Sequence, residues 1–497
     1  MSVKNLLAVA VIGATATLVG CGSDDDNNTD SRVGEIGVPC SVGVGTEAGV
    51  ALAGHDGVSK PVCSLEGRIN SDVTLTTDYI YSLNGYVTVG SGFAESGAID
   101  AAEFDEEGTD AQIVAYMKGD GAATLTINAG VEFRSSGRGS LVISRGSEIQ
   151  ANGTAAAPIV MSSLDAGFDG QGEWGGLVLQ GFAKNNKCSA NDDDTSGTIE
   201  ADEVSTALIC DTADEAGTGF HGGNDDADSS GSISYLIVAE GGYEIAPDSE
   251  VNGITLHSVG YGTSIENVMV YNNADDGIEW FGGAANVKNL ILVDNGDESL
   301  DWDDGFRGNV QYVLARQGVS NEGDHGIEAD TDGSNSALES APVVANVTFQ
   351  ENAEGADDLF RFKKKTNGTL INVAADGYEE CVKAEGTGVS VTMVNVVAEC
   401  TAYSEGDAYL TGDAGAASVQ VDGADFPATT FGDNTVTLGN MFEVTSQHTV
   451  ATLTAADFVS ANGSDVLDVT NFLGAVDPAA NEAWYAWAEA IIPAAFQ

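Results

Sequence analysis

Asp275-Asp276-Gly277-Ile278-Glu279-Trp280 is the first of five related segments in which two ionisable residues precede an apolar-charged-apolar alternation. The other four are Asp297–Trp302, Asp324–Ala329, Asp357–Phe362 and Glu379–Ala384, and successive segments begin 22, 27, 33 and 22 residues apart. The alternation is typical of a strand whose charged residue faces outward while its neighbours fill the core. Because a repeat near 22 residues fits one coil of short parallel strands, the sequence predicts an all-β, right-handed parallel β-helix.

A second series, in phase with the first, places an asparagine just before an apolar strand. Its members are Asn267, Asn289, Asn309, Asn346, Asn372 and Asn395. Stacked coils bring equivalent residues to within ~4.8 Å, where asparagine side chains can hydrogen-bond to one another. We therefore expect an asparagine ladder along the helix.

Looser copies of the repeat occur earlier in the chain. They are Leu125–Gly130, Leu141–Ile149, Gly153–Val160 and Trp174–Leu177. Together with Asn273–Gly283 and Phe472–Pro478, these segments resemble a group of bacterial surface lipoproteins that have a pectate-lyase-like right-handed parallel β-helix. The resemblance covers roughly residues 120 to 380 and the C-terminal motif, and it implies the same fold.

The first residues form an export signal. One cation, Lys4, precedes an apolar run, Leu6–Val11, that is too short to span a membrane. Small residues follow, and Leu18–Cys21 resembles the lipobox of bacterial lipoproteins, which implies cleavage after a signal peptide at residues 1–20 and a lipid on Cys21. The alternative is an ordinary signal peptide with a chance cysteine.

Residues 21–36 are polar and acidic, which predicts a flexible tether. By resemblance to lipoprotein sorting signals, Gly22 in place of Asp implies the outer membrane, and Asp24–Asp26 resembles the export signal of surface lipoproteins. We therefore expect an outer-membrane lipoprotein exposed at the cell surface, with the periplasmic face as the alternative.

The chain has 18 basic and 77 acidic residues and a formal charge of −59. This charge excludes nucleic acid and anionic bilayers as partners, so membrane contact is expected through the lipid anchor alone. Cations are the natural partners of such a surface. The same excess also suits a saline medium, where counterions screen repulsion between the acids.

Apart from Cys21, the six cysteines lie in three close pairs along the chain. Because an exported chain meets an oxidising environment, we expect three local disulfides, although other pairings are possible. The expected disulfides are Cys40–Cys63, Cys188–Cys210 and Cys381–Cys400.

The repeat sets the domain boundaries. We expect an N-terminal cap and first strands at 37–120, the β-helix at 121–470 with a loop insertion at 184–232, and a C-terminal cap helix at 471–497. Asp477 can N-cap that helix, and Trp484, Trp487 and Ile491 share one helical face. The helix is expected to be a lid on the last coil, with membrane contact as the alternative.

Residues 192–203 within the insertion match the twelve-residue EF-hand calcium loop, including Gly197 at the sharp turn. The expected calcium ligands are Asp192, Asp194, Ser196, Thr198, Glu200 and Glu203. A weaker partial copy offers Asp226, Asp228 and Ser230, but Ile237 stands where the bidentate glutamate belongs. An acidic surface loop is the alternative for both.

The repeat also predicts two columns of charge along the coil. The outward column is Glu279, Asp301, Glu328, Arg361 and Lys383, and the column beside it is Asp275, Asp297, Asp324, Asp357 and Glu379. Carboxylates ~5 Å apart raise one another's pKa or hold a cation between them, so this face shares protons or binds metal. The alternatives are a solvated face and aspartates that close turns.

The order Asn273-Ala274-Asp275, Asp297-Glu298, Gly323–Gly326 and Arg361–Lys363 is similar to the motif series of the polygalacturonase family, which is also a β-helix. In that chemistry one carboxylic acid protonates the glycosidic oxygen and another activates water. The resemblance implies a catalytic set of Asp275, Asp297, Glu298, His325, Arg361 and Lys363. Glu298 and Asp324 depart from the family pattern, which has Asp and Gly there.

Three functions remain open from the sequence. The first is a calcium-stabilised surface lipoprotein that binds a polysaccharide or another extracellular ligand and serves an outer-membrane transporter. The second is a polysaccharide-degrading glycoside hydrolase or lyase that uses the catalytic set above. The third is a structural or adhesive spacer.

Overall fold

The structure is a computed structural model, and its described residues from 39 onward belong to one compact unit. The described ranges are 39–90, 122–165, 167–187, 209–214, 217–245, 251–318, 323–331, 338–351, 358–386, 388–402, 418–421, 424–425, 438–439, 443–444, 452–480 and 483–496. The expected signal peptide, the lipidation site Cys21 and the tether lie outside them. No helix among the described residues is long and apolar enough to cross a membrane.

The described part of the chain is built almost entirely from strands, as predicted. The strands are β1 Thr46–Ala53, β2 Ser59–Ile69, β3 Val73–Leu75, β4 Ile80–Val89, β5 Thr124–Ile127, β6 Glu132–Ser135, β7 Ser140–Ile143, β8 Glu148–Asn152, β9 Ile159–Ser163, β10 Leu177–Gln180, β11 Ile209–Ala213, β12 Phe220–Gly223, β13 Gly231–Ala239, β14 Ile254–His257, β15 Ser264–Tyr271, β16 Ile278–Phe281, β17 Asn286–Val293, β18 Leu300–Asp303, β19 Asn309–Gln317, β20 Ile327–Ala329, β21 Val343–Glu351, β22 Asp358–Phe362, β23 Asn367–Ala384, β24 Ser390–Ala402, β25 Ser418–Val421, β26 Ala424–Asp425, β27 Leu438–Gly439 and β28 Glu443–Val444.

Short and long strands alternate along the chain, and each strand pairs in parallel with its equivalent one coil away. The short strands stack in the order β7, β10, β14, β16, β18, β20, β22 and the last residues of β23. The long strands stack in the order β13, β15, β17, β19, β21, β23 and β24. This parallel pairing of successive coils confirms the predicted β-helix.

Each long strand turns a corner at one residue with positive φ, and these residues stack on one another. They are Tyr235, Asn267, Asn289, Tyr312, Asn346, Asn372 and Asn395, with φ between +50° and +63°. Asparagine tolerates this left-handed conformation better than most residues, which accounts for its recurrence at the corner. Asn289 donates to Asn267 (3.2 Å) and Asn395 donates to Asn372 (3.0 Å), so the ladder forms in these two places.

One member of the predicted ladder was wrong. Asn309 begins β19 and pairs with Asn286, whereas Tyr312 occupies the corner opposite Asn289. The sequence match aligned the polar residue before Val310, but the step from Asn289 to the corner at Tyr312 is 23 residues, one more than the step from Asn267 to Asn289. The register of the whole strand, rather than the asparagine, therefore sets the corner.

The core is a continuous column of apolar side chains. Alternate residues of the short strands point inward, as Ile278, Trp280, Leu300 and Trp302 do, and all four are buried. At ~25 cal/mol per Å² of apolar surface, burial of these side chains is the main force that holds the coils together. The same alternation turns the residues between them outward.

Two of the three expected disulfides are confirmed. Cys40–Cys63 joins the antiparallel β1–β2 region at the N-terminal end, and Cys381–Cys400 joins neighbouring coils. Cys188 lies outside the described residues, so the third pairing stays a prediction.

The C-terminal segment differs from the expected lid. Among its described residues the α-helix, α1 Ala486–Glu489, is a single turn, a 3-10 helix follows at Pro493–Phe496, and Asp477 caps a turn at Ala479 instead of starting a helix. Trp487 packs on the outer surface of the long strands, against residues such as Met269 and Ile291, and not on the last coil. The apolar face predicted for a long helix is instead spread over an extended segment.

Candidate functional site

The outer surface of β16, β18, β20, β22 and Glu380–Ala384 of β23, which we term the charged face, carries three columns of polar side chains. The middle column contains the five residues predicted to stack outward. Direct register pairs them in the order Glu279, Asp301, Glu328, Arg361 and Lys383. Acids therefore occupy three successive coils, and bases the next two.

A second column lies at the turn that enters each short strand. Five members come from the second position of the repeat, and Asn252 occupies the equivalent place one coil earlier, before β14; each is at most 9% exposed. The members are Asn252, Asp276, Glu298, His325, Asp358 and Glu380. Backbone hydrogen bonds from Gly253 to Asp276, from Gly277 to Glu298 and from Ser299 to His325 fix the stacking. Ionisable side chains in such surroundings need a partner or change their pKa.

The third column lies at the C-terminal end of each short strand. It runs through Phe281, Asp303, Asp330, Lys363 and Glu385, each linked to the next coil by the backbone. Burial and the neighbouring Asp304 raise the pKa of Asp303 to about 8. Two acids precede Lys363 along the axis, and Glu385 follows it.

His325 is the centre of a buried ion network. Its Nδ1 lies 2.5 Å from Glu298 Oε1, and its Nε2 lies 3.6 Å from Asp358 Oδ2. Burial alone would lower the pKa of His325, but the carboxylates of Asp358 and Glu298 outweigh it and raise the pKa to about 10. The imidazole is therefore a cation at neutral pH, held between two carboxylates.

The acidic half of the charged face, on β16, β18 and β20, brings carboxylates close together. Oxygens of Asp276, Glu279 and Asp301 lie within 4.8 Å of one another, and so do oxygens of Glu298, Asp301 and Glu328. Burial, with the neighbouring carboxylates, raises the pKa of Asp276 and of Asp301 well above the usual range. Burial also raises the pKa of Glu298 to about 7, although the hydrogen bond from His325 opposes the change. These groups share protons or hold a cation, and oxygen donors suit a hard cation such as Ca²⁺.

The basic half of the charged face, on β22 and Glu380–Ala384 of β23, carries cations that pair with acids of the same face. Lys363 contacts Glu328 Oε2, and Arg361 Nε lies 3.5 Å from Glu328 Oε1. Lys383 lies 3.6 Å from Asp358 and 3.4 Å from Glu385. The side chains of Arg361, Lys363 and Lys383 keep 25–27% of their surface exposed, so they remain within reach of an anionic ligand.

The structure brings the six residues of the candidate catalytic set onto adjoining coils. An oxygen of Asp275 lies within 4.8 Å of one from Asp297, which immediately precedes Glu298. Burial, reinforced by Glu328, raises the pKa of Asp297. Glu298 has a pKa near neutrality, which suits proton transfer at pH 7. Asp357 stands at the same position of the repeat as Asp275 and Asp297, two coils beyond Asp297. It lies outside the described residues.

Part of the insertion borders the charged face at its N-terminal end. The backbone NH of Asn186 donates to the carbonyl of Asp304 (2.9 Å), and Lys187 forms an ion pair with the Asp304 carboxylate (3.0 Å). The ring of Phe281, in the third column, stacks on the ring of His257 in the preceding coil. The C-terminal ends of the short strands therefore contact the insertion on this side.

The two predicted calcium loops differ in what can be said of them. Residues 192–203 lie outside the described residues. In the weaker loop, the Asp226 carboxylate meets Lys184 (3.5 Å) and Arg307 (3.3 Å), and Asp228 Oδ2 accepts the backbone NH of Phe182 (3.0 Å). The Ser230 hydroxyl donates to the carbonyl of Gln180 (3.5 Å). Protein groups thus contact each of these oxygen-bearing side chains.

Sequence reasoning missed most of the second and third columns. Asp276, Asp358 and Glu380 stand at the second position of the repeat, which aligns as clearly as the fifth position, the source of the middle column. Asp303 and Glu385 follow the repeat by one residue. The signal was present, but alternation alone does not tell how side chains point at the turn before a strand.

Comparison with known proteins agrees with this geometry. A search of the curated proteins and a search of the solved structures found no match. One family model, described as a pectate-lyase-like β-helix domain, matches residues 97–420, which is more than half of the chain. The match includes every short strand of the charged face. The chain therefore belongs to the family of pectate-lyase-like β-helix domains.

Proposed function

We propose that this protein is a polysaccharide-binding β-helix module and that its ligand lies along the charged face. The observation that carries the proposal is the arrangement of three columns of donors and acceptors on successive coils, ~4.8 Å apart. Such a regular row is complementary to an extended chain with repeating hydroxyl and charged groups. Solenoids use their extended surfaces in this way.

The packing of the C-terminal segment supports the choice of face. Asn462 and Ser464 hydrogen-bond to Asn309, Asp468 accepts from Lys288, and Trp487 packs against the long strands. This segment thus covers the outer surface of the long strands on several coils. The charged face is left uncovered by these contacts and carries the partly exposed Arg361, Lys363 and Lys383.

In our proposal, the export signal directs the protein out of the cell, so that it binds its ligand there. A lipid on Cys21 and the acidic tether at 21–36 would hold the β-helix at the outer membrane, facing the surface. A polysaccharide captured there would be passed to an outer-membrane transporter. The lipobox-like Leu18–Cys21 and Gly22 support this placement.

Calcium is the cofactor that we propose, bound by the loop at 192–203. The loop has oxygen-bearing residues at the first, third and fifth positions and Glu203 at the twelfth, as the calcium loop requires. We expect CaCl2 to raise the midpoint of thermal unfolding of the mature protein above its value in EDTA. Glu203→Gln should abolish the rise, whereas Glu266→Gln, on an exposed part of β15, should retain it. Superimposable melting curves of the wild type with and without calcium would refute the proposal.

A second candidate function is polysaccharide cleavage. The specific observation in its favour is that Glu298, with a pKa of about 7, adjoins the imidazolium of His325 and the row of Arg361 and Lys363. An acid that keeps its proton near pH 7 can protonate a glycosidic oxygen, while a second carboxylate activates water. Asp297 is the nearest candidate for that second group.

One glycan panel tests both functions. Binding of the mature protein to a glycan array should identify polysaccharide ligands, and Arg361→Gln should weaken their binding by about tenfold through the loss of a charge-assisted hydrogen bond. Glu266→Gln on another surface is the matched control and should bind as the wild type does. Reducing ends released from the same glycans by the wild type, but not by Asp297→Asn, would favour cleavage. The absence of any bound glycan would overturn both functions.

A further inference from the structure

The charged face has opposite charges at its two ends. The strands β16 and β18 present Glu279, Asp301 and Asp303, and neither strand contributes a lysine or an arginine. Residues 361–383, by contrast, supply five of the 18 basic residues of the whole chain. This concentration is unusual in a protein with a formal charge of −59. A ligand that follows the axis therefore meets an acidic half and then a basic half.

The protein balances these two halves unequally. The cations of the basic half pair with Glu328, Asp358 and Glu385. In the acidic half, Asp301 forms no ion pair with any described lysine, arginine or histidine, and its nearest ionisable neighbours are carboxylates. Lys363 acts on Asp301 without forming an ion pair with it, so an ionised Asp301 would be stabilised further by a cation that binds beside it, or neutralised by a proton.

Asn252 gives an independent indication of a donor ligand at the acidic half. This side chain is 2% exposed, and its Nδ2 donates to Glu279 Oε2 (2.5 Å). Its Oδ1 has no hydrogen-bond partner in the structure. A buried amide oxygen without a partner is unfavourable, so a ligand that brings a donor to Asn252 is favoured. The acceptors of Asn252, Glu279 and Asp301 together suit a group with several N–H donors.

From this layout we infer that the ligand is a zwitterionic glycan, with an amino sugar whose ammonium group lies at Glu279 and Asp301 and an acidic sugar whose carboxylate lies at Arg361 and Lys383. The inference rests on the proposed polysaccharide-binding function. An ammonium group has three donors and a full charge, which matches the cluster of acceptors. Asp301 and Arg361 are two coils apart, ~10 Å, so both charges belong to one short stretch of the chain.

Three oligosaccharides of equal length separate the contributions of the two charges. N-deacetylated hyaluronan carries alternating carboxylate and ammonium groups, hyaluronan carries carboxylates alone, and chitosan oligosaccharide carries ammonium groups alone. Calorimetric titration of the full mature chain in CaCl2, at mildly acidic pH where the amines are charged, compares the three. We expect N-deacetylated hyaluronan to bind at least about tenfold more tightly than either of the others.

Two variants assign the charges to their ends of the face. Asp301→Asn should weaken binding of N-deacetylated hyaluronan by about tenfold, because an amide cannot ionise to pair with the ammonium group, and it should leave hyaluronan unchanged. Lys383→Gln should weaken both and leave chitosan oligosaccharide unchanged. Glu279→Gln repeats the test of the acidic half in case Asp301→Asn is poorly folded. Glu266→Gln is the control on another surface.

The outcomes distinguish this inference from the function on which it rests. Equal affinity for hyaluronan and its N-deacetylated form overturns the zwitterionic ligand and leaves glycan binding standing, because calcium from solution would then neutralise the acidic half. Preference for chitosan oligosaccharide, with no effect of Lys383→Gln, overturns it as well. Binding of none of these and of no glycan on the array overturns both.

Discussion

His325→Ala is expected to lower the free energy of unfolding at pH 7 by about 3–5 kcal/mol, the usual loss when one partner of a buried ion network is removed. His325 is fully buried and lies between Glu298 (2.5 Å) and Asp358 (3.6 Å). Without the imidazolium, both carboxylates stay buried, and the charges of Lys383 (3.6 Å) and Arg361 remain near Asp358. The measurement is urea unfolding at fixed pH, followed by circular dichroism.

The pH dependence separates this charge effect from the cavity that alanine leaves. The pKa of His325 is raised from 6.5 to about 10, so its stabilising contribution is complete below pH 6.5 and is lost as the pH rises towards 10. At pH 5 Glu298 holds a proton and needs the cation less. The loss caused by His325→Ala should therefore be largest near pH 7 and smaller at pH 5 and at pH 10.

A double variant is the matched control. Glu298→Gln/His325→Ala removes one of the two abandoned carboxylates, so it should recover part of the stability lost in His325→Ala. A loss that is the same at every pH, and that the second substitution does not reduce, would show that His325 acts by packing alone.

The repeat predicted the architecture because it reports a periodic physical requirement. Each coil must bury apolar residues at the same positions, so Ile278, Leu300 and Ile327 recur in the sequence and pair in the structure. The charge column of Glu279, Asp301 and the later residues follows from the same alternation. Close cysteine pairs were informative for a related reason, since residues one coil apart are neighbours in space.

The parts that failed are those that a periodic pattern does not determine. Asn309 matched the local motif, but the strand register placed Tyr312 at the corner. Trp484 and Trp487 have helical spacing, yet the α-helix there is a single turn, because the segment packs along the long strands instead. The His325 network required knowledge of how turn residues point, and the pattern of the strands does not contain it.

The acidic half of the charged face should make the protein less stable as the pH rises from 7 to 9. An acid whose folded-state pKa is raised keeps a proton that the unfolded chain releases, so stability falls between the unfolded and folded pKa values. Asp276 and Asp301 are raised well above the usual range, and Asp303 to about 8. Below pH 6.5 the lowered pKa values of the buried His221 and His257 act in the opposite direction, which sets the lower limit of the window.

Each carboxyl group that is protonated in the folded protein and ionised in the unfolded chain lowers the free energy of unfolding by about 1.4 kcal/mol per pH unit. We therefore expect the free energy of unfolding in calcium-free buffer to fall by about 2 kcal/mol or more between pH 7 and pH 9. Asp301→Asn removes the carboxylate at the centre of both clusters, so it should raise the midpoint of thermal unfolding at pH 8 and flatten the pH profile. Glu266→Gln, an equal loss of charge on another surface, should do neither. If stability is constant or increases from pH 7 to pH 9, these carboxylates are ionised and already neutralised in the folded protein, and the acidic half then offers no place for the charge of a ligand.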